Sequence, residues 1–495
     1  MPDFDLTMYH VYDTYGFKQT QTRSWEASIM ALWKLWWKWA SPLQAACART
    51  RTFMWMLAVL AGFCVRGDLL GVTSIVRALG LQPACYDRIL DFFHSSAVNL
   101  GQLTRTWTAL VLKTHPALLR FNDRLVLVAD GIKVPKAGKK MPAVKKLHQE
   151  SDSNNKPEFI MGHSCQAVAI LVQGLASVAA IPLVARISEG LVFTNRDKRT
   201  LLDKLMELLN ELAIVAPYYL VADAYYASKK IALPLLRAGN HLVTRVRITA
   251  VGYLPAPKPE RKKPGRPRLY GEKLKLRTLF EHPETFEVID SPVYGEEKIQ
   301  LRVRALDLLW KPVGVLVRFV AVEHPTRGRC LLMCTDLTLD PADIVRLYGY
   351  RFKIELAFKH ALRVVGSFLY HFWMKTMTPL KRNGGNQHPH HKSKAYREAI
   401  RRKMDAYHRF IQLGLIAQGI MVALATTAPA LVWRHFGSWL RTTRPGVCPS
   451  EMVVSIALRN TLPEFLANNA CDPNFTKFLQ ERLDINRAEG IRLAA

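Results

Sequence analysis

The spacing of apolar and polar residues divides the chain into a helical beginning, a mixed centre and a helical end. Over residues 1–120, apolar residues recur mainly at helical spacing, which predicts helices. The stretch RGDLLGVTSIVRALGLQPACYDRILDFFH (66–94) places a turn, Gly80 to Pro83, between two amphipathic segments. Such a pair is typical of a helix-turn-helix unit, but any helical hairpin has the same pattern. DNA contact and a purely structural hairpin are both open interpretations.

Beyond residue 120 the pattern changes to short apolar runs separated by helical segments. The predicted strands are, in order, 124–132, 159–173, 176–188, 218–226 and 241–248, and the predicted helices are 197–213 and 228–237. Two of the predicted strand cores end in an aspartate, Asp130 and Asp223. Helices that alternate with buried strands indicate an α/β core.

A second β-rich block and a helical end follow this core. Residues 255–273 form a Pro-rich basic loop, and the alternating segments 298–310 and 313–324 predict antiparallel strands. Asp340, Pro341 and Asp343 then signal the start of a helix that runs past Glu355. A polar loop over 381–394 separates this helix from a largely helical C-terminal region.

The charge balance requires an anionic partner. The chain has 495 residues with 69 Lys and Arg against 40 Asp and Glu, a formal charge of +29, and 49% hydrophobic residues. A polyanion or an anionic membrane surface would balance such an excess. The aromatic and basic segment 28–39 and the apolar segment 53–64 permit membrane-surface binding, but buried helices explain both more simply. We therefore expect no membrane partner.

The cysteines and the N-terminus indicate a reducing compartment. The eight cysteines are scattered, without a CxxC pair or zinc-finger spacing, so we expect reduced, mostly buried thiols. The N-terminal stretch MPDFDLTMYH is acidic and contains no evident signal peptide. These observations predict a cytoplasmic protein.

The helix YGYRFKIELAFKHALR (348–363) carries a polar stripe of functional residue types. Tyr348, Arg351, Glu355 and Lys359 are spaced three or four residues apart and share one face. One interpretation is a surface helix stabilised by ion pairs. The other follows from the two strand-end aspartates, because three carboxylates that converge can hold two divalent cations about 4 Å apart for attack on a phosphodiester.

Four blocks of the chain resemble those of DDE transposases of bacterial insertion sequences. They are LVADGIKVPKAGKKMPAVKKLHQES (127–151), KPEFIMGH (156–163), YLVADAYYA (219–227) and YGYRFKIELAFKHAL (348–362). The resemblance covers about residues 120–375. It implies that Asp130, Asp223 and Glu355 are the catalytic, metal-binding triad, with two Mg²⁺ ions for which Mn²⁺ can substitute.

The long separation between Asp223 and Glu355 resembles the branch of this family that has a β-rich insertion before the glutamate. The signature of that branch is Tyr, two residues, Arg, three residues, Glu, six residues, Lys. Tyr348, Arg351 and Glu355 match it, whereas position 362 is Leu instead of Lys. Lys359 and Arg363 are the candidates for the missing phosphate contact.

The resemblance implies the fold class, an α/β ribonuclease H-like catalytic core with a β-rich insertion domain, flanked by helical N- and C-terminal regions. We expect a helical N-terminal DNA-binding region (1–120), the first part of the catalytic core (121–248), the β-rich insertion domain (249–340), the core helix with Glu355 (341–380) and a helical C-terminal region that is a candidate for dimerisation (395–495).

The implied activity is cleavage of DNA at the ends of a mobile element and joining of the 3′-hydroxyl to target DNA. The implied partners are double-stranded DNA and a second copy of the chain in the synaptic complex, in a bacterial, nucleoid-associated setting. Several of the six lysines that follow Asp130, among them Lys136, are expected to face the DNA backbone. The expected DNA contacts are Tyr348, Arg351, Lys359, Arg363, Lys133, Lys139, Lys140, Lys145, Lys146, His148, Lys262, Lys263, Arg266 and Arg268. The last four lie within or beside a Pro-Gly-Arg-Pro core that partly resembles a minor-groove hook.

Three other functions compete with transposition. A ribonuclease H-like endonuclease would cut DNA without joining it, and a non-catalytic protein derived from a transposase would only bind DNA. The intact set of three carboxylates argues against the second alternative. A membrane-surface protein is the third, and it would bind liposomes through residues 28–64.

Overall fold

The computed structural model describes residues 31–149, 157–257, 265–293, 295–437, 442–467 and 472–486. The protein has a mixed α/β architecture, in which helices at both ends of the chain surround one large sheet. The predicted contacts Lys262 and Lys263 lie outside the described residues.

The N-terminal region is helical over its described part, as the apolar spacing predicts. Its helices are α1 (31–40), α2 (Thr50–Val65), α3 (Gly71–Ala78), α4 (Cys85–His94) and α5 (Leu100–Thr114). Helix α2 is buried over most of its length, so it forms core. Helices α3 and α4 are the predicted hairpin, and Gly80 adopts φ +61° in the turn between them, a conformation that glycine adopts without strain.

The central sheet has thirteen strands among the described residues. They are β1 (Arg120–Phe121), β2 (Arg124–Pro135), β3 (Lys145–His148), β4 (Phe159–Gly174), β5 (Ser177–Ile187), β6 (Tyr218–Ala222), β7 (His241–Val246), β8 (Val251–Pro255), β9 (Tyr270–Lys275), β10 (Glu287–Asp290), β11 (Gln300–Trp310), β12 (Val315–His324) and β13 (Gly328–Cys334). The helices α6 (Leu201–Glu211) and α7 (Lys229–Arg237) connect strands in this half of the chain.

The strand order places one parallel group beside two antiparallel groups. β2 pairs antiparallel with β4 and parallel with β6, and β6 pairs parallel with β7. The strands of the β-rich block continue the same sheet, because β13 pairs antiparallel with β7 and leads on to β12 and β11. The sheet is thus continuous from β3 to β9.

The C-terminal half supplies the helices that cover this sheet. They are α8 (Pro341–Tyr350), α9 (Phe352–His360), α10 (Lys394–Thr427), α11 (Pro429–Phe436), α12 (Glu451–Asn460), α13 (Leu462–Ala467) and α14 (Pro473–Gln480). Within the described ranges, α10 alone is long and apolar enough to cross a membrane, and 89% of its most apolar window is buried inside the protein. Its packing against β5, α2 and α4 is that of a core helix.

Two sequence predictions are wrong in detail. Asp130 lies inside β2, because the strand continues to Pro135 along β4, whereas its pairing with β6 ends at Val128. The predicted continuous helix is divided at Arg351, where the backbone N–H donates to Tyr348 O three residues back. A tighter turn of this kind changes the direction in which the following residues point.

The described cysteines are all free thiols. Cys64, Cys85, Cys165 and Cys334 are buried. Burial raises the pKa of the Cys165 thiol to about 12, so this group stays protonated and unreactive.

Candidate active site

The register of the parallel strands brings the two predicted aspartates side by side. Val128 of β2 lies opposite Val221 of β6, and Asp130 and Asp223 each follow two residues later. Adjacent strands are about 4.8 Å apart, so the two side chains emerge next to each other where the parallel pairing ends. This is the position at which α/β sheets usually place ligand-binding residues.

Both aspartates are held by local backbone contacts. The Asp130 Oδ1 atom accepts a hydrogen bond of 2.7 Å from the Gly131 N–H. Asp223 caps a short 3₁₀ turn, and its Oδ1 accepts a hydrogen bond of 2.9 Å from the Tyr225 N–H. These contacts fix one oxygen of each carboxylate.

Helix α9 delivers Glu355 to the same place through Arg351. The Arg351 Nη1 atom lies 3.0 Å from Asp130 Oδ2, and its Nη2 atom lies 2.5 Å from Glu355 Oε1. One guanidinium group therefore joins a strand carboxylate to a helix carboxylate. A planar, forked donor is suited to such a double contact, and a lysine is not.

The core of the protein anchors α9 from behind. The buried Gln418 of α10 donates its side-chain N–H to Ala357 O at 2.9 Å. His360 Nδ1 lies 2.7 Å from Glu451 Oε2 on α12, and this hydrogen bond raises the pKa of His360. These contacts hold the helix that carries Glu355 against the C-terminal helices.

The electrostatics of Asp130 show that negative charge is concentrated here. The pKa of Asp130 is raised to about 6, mainly by burial and to a smaller extent by the carboxylates of Asp223 and Glu355, against the opposing effects of Gly131 and Arg351. A group of this kind is stabilised in its ionised form by an added cation. The three carboxylates are thus electrostatically coupled.

The three carboxylates do not form a ready metal cage in this arrangement. Across the described part of the chain, no group of three or more His, Cys, Asp or Glu side chains is close enough to hold a metal ion. Arg351 occupies one oxygen of Asp130 and one of Glu355 in this arrangement. The donor chemistry nevertheless fits a hard divalent cation, because all three groups offer carboxylate oxygens.

Tyr348 belongs to this site, and Leu362 does not. The Tyr348 hydroxyl is half-buried, which raises its pKa, and it lies within electrostatic range of Arg351 and Asp223. Leu362 packs against the hydrophobic core, so the position that is Lys in the family signature contributes to packing here. Lys359 and Arg363 are both exposed beside it.

Two residues near the site were missed by the sequence predictions. Tyr226 is buried, and its pKa is raised by burial and by the carboxylates of Asp130 and Asp223. Arg245 is exposed on β7 and lies within electrostatic range of Tyr348. Tyr226 lies in the recognised block YLVADAYYA, but its apolar setting gave it no functional signal; Arg245 was indistinguishable from other basic residues on a strand.

The predicted DNA contacts that follow Asp130 have different environments. Lys133 and Lys139 are exposed and Lys140 is partly exposed, whereas Lys145 pairs with Glu189 at 3.1 Å and Lys146 lies 3.9 Å above the Phe159 ring.

The remaining predicted contacts also differ. Lys136, one of the six lysines of which several are expected to face DNA, is 6% exposed and does not face solvent. His148 lies 3.6 Å from Glu158. Arg266 and Arg268 are exposed at the edge of the Pro-rich loop, and Arg268 donates to Tyr270 O at 2.7 Å.

Comparison with known families identifies the class of protein. The protein-family model described as "DDE superfamily endonuclease" matches residues 33–306 of the sequence, which is more than half of the chain. The chain therefore belongs to the DDE superfamily endonucleases, which confirms the expectation of a DDE transposase-like protein. The matched range contains Asp130 and Asp223 and ends before Glu355. An origin in a bacterial insertion sequence stays a prediction.

The other comparisons add little to this assignment. The cryo-EM structure of the piggyBac transposase synaptic complex with hairpin DNA is similar with a TM-score of 0.33 and 10% identity, over 93% of this chain and 84% of that chain. A similarity at this level supports no conclusion about the present chain. No curated protein matches the sequence.

Proposed function

We propose that this DDE superfamily endonuclease is a transposase that cuts the ends of a mobile DNA element and joins each 3′-hydroxyl to target DNA. The observation that supports this proposal most is the arrangement of Asp130, Arg351 and Glu355, in which one guanidinium bridges a strand carboxylate and a helix carboxylate. Family membership supports the endonuclease activity. Strand transfer, a dimer in the synaptic complex and a cytoplasmic, nucleoid-associated location belong to the proposal.

In this proposal Asp130, Asp223 and Glu355 hold the metal, two Mg²⁺ ions or Mn²⁺ in their place. Bound divalent cations supply Lewis-acid activation of the phosphodiester and stabilise the attacking and leaving oxygens. Arg351 releases the carboxylates and clamps a substrate phosphate, for which its forked guanidinium is suited. Tyr348 and Arg245 border this position, and Lys359 and Arg363 extend it along the helix.

The sheet supports a ribonuclease H-like core. Three strands, β2, β4 and β5, form an antiparallel group, and β6 and β7 follow in parallel on the other side of β2. Two carboxylates at the centre of this order and a third on a covering helix are consistent with the family resemblance. The β8–β13 strands are the proposed insertion domain, and the exposed Arg266 and Arg268 beside its loop are proposed DNA contacts.

The decisive test is Mg²⁺-dependent cleavage of a labelled duplex that contains the element end. Asp130→Asn, Asp223→Asn and Glu355→Gln should each reduce cleavage at least about a hundredfold, since each removes a ligand for the catalytic cations. Asp343→Asn is the matched control, because Asp343 lies on α8 and pairs with Arg346. A carboxylate variant that cleaves at the wild-type rate contradicts the assignment.

An endonuclease that does not join DNA is the second candidate, and the family description itself favours it. Incubation of pre-cut ends with a plasmid separates the two, because only a transposase covalently joins the ends to the plasmid. A protein that binds the ends without nicking them in Mg²⁺ or Mn²⁺ would instead be a non-catalytic DNA-binding protein.

A further inference from the structure

A second site lies beyond the carboxylates, in a cavity of about 870 Å³. Its walls come from α4, from the chain that follows β2, from residues 369–379 and from the first part of α10. The volume is within the usual range for a bound small molecule or nucleotide. This cavity plays no part in holding Asp130, Asp223 or Glu355.

The cavity is strongly basic. Five lysines line it, Lys136, Lys139, Lys140, Lys375 and Lys403, and its lining among the described residues contains no Asp or Glu. Burial lowers the pKa of Lys136 to about 7 and also lowers the pKa of Lys403, so the positive charge is carried mainly by Lys139, Lys140 and Lys375. This differs from the carboxylate site, where Arg351 pairs with two of the three acidic groups. An uncompensated cluster of lysines in a concave surface attracts an anion.

The two chain segments that carry these lysines are fixed to each other by backbone hydrogen bonds. The Met374 N–H donates to Lys140 O at 3.0 Å, and the Leu380 N–H donates to Lys139 O at 2.7 Å. The Lys140 Nζ also donates to Lys375 O at 3.1 Å. The basic wall is therefore an ordered structure.

Lys403 of α10 lines the cavity and forms a hydrogen bond with a neutral histidine, His94. His94 Nδ1 donates to Leu90 O at 2.8 Å, so the Nε2 atom is the acceptor for Lys403 Nζ at 2.7 Å. Burial lowers the pKa of His94, in agreement with a neutral ring. The Lys403 side chain is thus held in place by an uncharged partner, and burial lowers the pKa of Lys403.

The cavity also presents an exposed indole. Trp373 is 63% exposed, and Tyr86 on α4 is 40% exposed. Gly138 allows the indole to lie against the loop after β2, because a Cβ atom there would come within 3.0 Å of Trp373 Nε1 and 2.5 Å of Met141 Sδ. An aromatic face left in water on an ordered wall is suited to stacking with a planar ligand.

The floor of the cavity is rigid. Lys136 is buried, and its Nζ lies 3.7 Å above the Tyr370 ring and donates to Tyr370 O at 3.2 Å and to Phe368 O. The Tyr370 ring stacks on Tyr407, with centroids 4.6 Å apart. Lysines and an indole are therefore presented on a preorganised surface, which lowers the entropic cost of binding.

We propose that this cavity binds an unpaired nucleotide of a DNA strand, with the base stacked on Trp373 and the phosphates contacted by Lys139, Lys140 and Lys375. Base faces are covered in a duplex, so the exposed indole selects an unpaired base. Pro135, at the edge of the cavity, lies five residues beyond Asp130 on β2. That spacing corresponds to about 16 Å, or roughly five steps of a DNA strand. The inference rests on the proposed function only in taking DNA as the ligand.

Binding of full-length protein to two fluorescent DNA ligands tests the inference, with EDTA present so that no cleavage occurs. The ligands are a blunt duplex and the same duplex with a five-nucleotide single-stranded tail that contains 2-aminopurine. A deoxynucleoside monophosphate serves as the competitor. Wild-type protein should bind the tailed duplex about tenfold more tightly than the blunt one and quench the 2-aminopurine, since one stacked base is worth about that factor.

Variants at the indole and the lysines separate stacking from general DNA affinity. Trp373→Ala should remove the tenfold preference and the quenching while leaving blunt-duplex affinity unchanged, and Trp373→Phe should retain most of both. Lys375→Gln should weaken tailed-duplex binding several-fold. Lys477→Gln is the matched control, because Lys477 is exposed on α14 outside the cavity.

Three results would overturn the inference. They are equal weakening of blunt and tailed binding by Trp373→Ala, no effect of that variant on the tail preference, and displacement of the tail by the monophosphate at matched nucleotide concentration, which would indicate a free nucleotide as ligand. The test is independent of catalysis. Failure of the carboxylate variants to reduce cleavage would leave the tail preference intact, and loss of the tail preference would leave the cleavage results unchanged.

Discussion

Two charged sites lie along strand β2 and just beyond its end, and they differ in how far ion pairs offset their charge. At Asp130 the negative charge of the three carboxylates is offset in part, because Arg351 pairs with Asp130 and Glu355. At the end of the strand, beyond Pro135, five lysines surround a cavity whose described lining has no acidic residue. A site whose carboxylate oxygens are held by a guanidinium has to rearrange before it binds a metal, whereas exposed lysines without an acidic neighbour are ready for an anion. The predictions below test this distinction.

Removal of the Arg351 guanidinium group from the carboxylate site should have the largest effect, and this effect is on DNA cleavage. Arg351→Ala should reduce Mg²⁺-dependent DNA cleavage about a hundredfold or more, because it removes the proposed phosphate clamp. Arg351→Lys should recover at most about a tenth of the activity, since an ammonium group cannot make the forked contact. Cleavage rates at saturating Mg²⁺ provide the measurement. Full activity of Arg351→Lys would mean that a single positive charge suffices.

Removal of unbalanced lysines should have a smaller but clear effect on DNA affinity. The double variant Lys139→Gln, Lys375→Gln should lower affinity for tailed DNA about tenfold in 0.1 M salt and reduce the slope of log affinity against log salt by about two. Lys145→Gln is the control, because Lys145 already pairs with Glu189. Salt titrations by fluorescence anisotropy measure both quantities. Equal slopes of log affinity against log salt for the control and the double variant would contradict the proposed difference between paired and unpaired lysines.

Removal of the His360–Glu451 hydrogen bond, which anchors α9, should have the smallest effect. This effect is on the free energy of unfolding and should depend on pH. The hydrogen bond to Glu451 raises the pKa of His360 above its ordinary value of about 6.5. A raised pKa in the folded state adds stability that is fully present below the unfolded pKa and is lost as the pH rises through the folded pKa. His360→Gln should therefore lower the free energy of unfolding by about 1 kcal/mol at pH 6 and by less at pH 9.

Urea denaturation at the two pH values measures this difference. His282→Gln is the matched control, since His282 pairs with Glu284 on the surface with a side chain that is 62% exposed. The control should show little change at either pH. A loss of stability that is larger at pH 9 than at pH 6 would contradict the role of the His360–Glu451 pair.

Much of the secondary structure could be predicted because local patterns determine it. The leucine spacing predicts α6, and the alternating segments predict the antiparallel pair β11 and β12. The sequence also indicated Asp130 and Asp223 as neighbours, since parallel strands of one sheet align their ends. These features depend on periodicity, which a single sequence contains.

The remaining features depend on long-range contacts that a single sequence does not contain. β2 continues past Asp130 because β4 pairs with it as far as Pro135. Lys136 is buried because Tyr370, more than two hundred residues later, provides a ring face and a carbonyl for its ammonium group. Arg351 has the spacing of a phosphate contact, but its actual partners are determined by the approach of α9 to β2.

Mn²⁺ binding, followed by electron paramagnetic resonance in the absence of DNA, tests the central claim most directly, namely that Arg351 and a metal compete for the same carboxylates. Arg351→Ala should bind Mn²⁺ about tenfold more tightly than wild-type protein, because it frees one oxygen each of Asp130 and Glu355. Adding Asp130→Asn to that variant should abolish the gain. Mn²⁺ affinity that is the same in wild type, Arg351→Ala and the double variant would contradict the account.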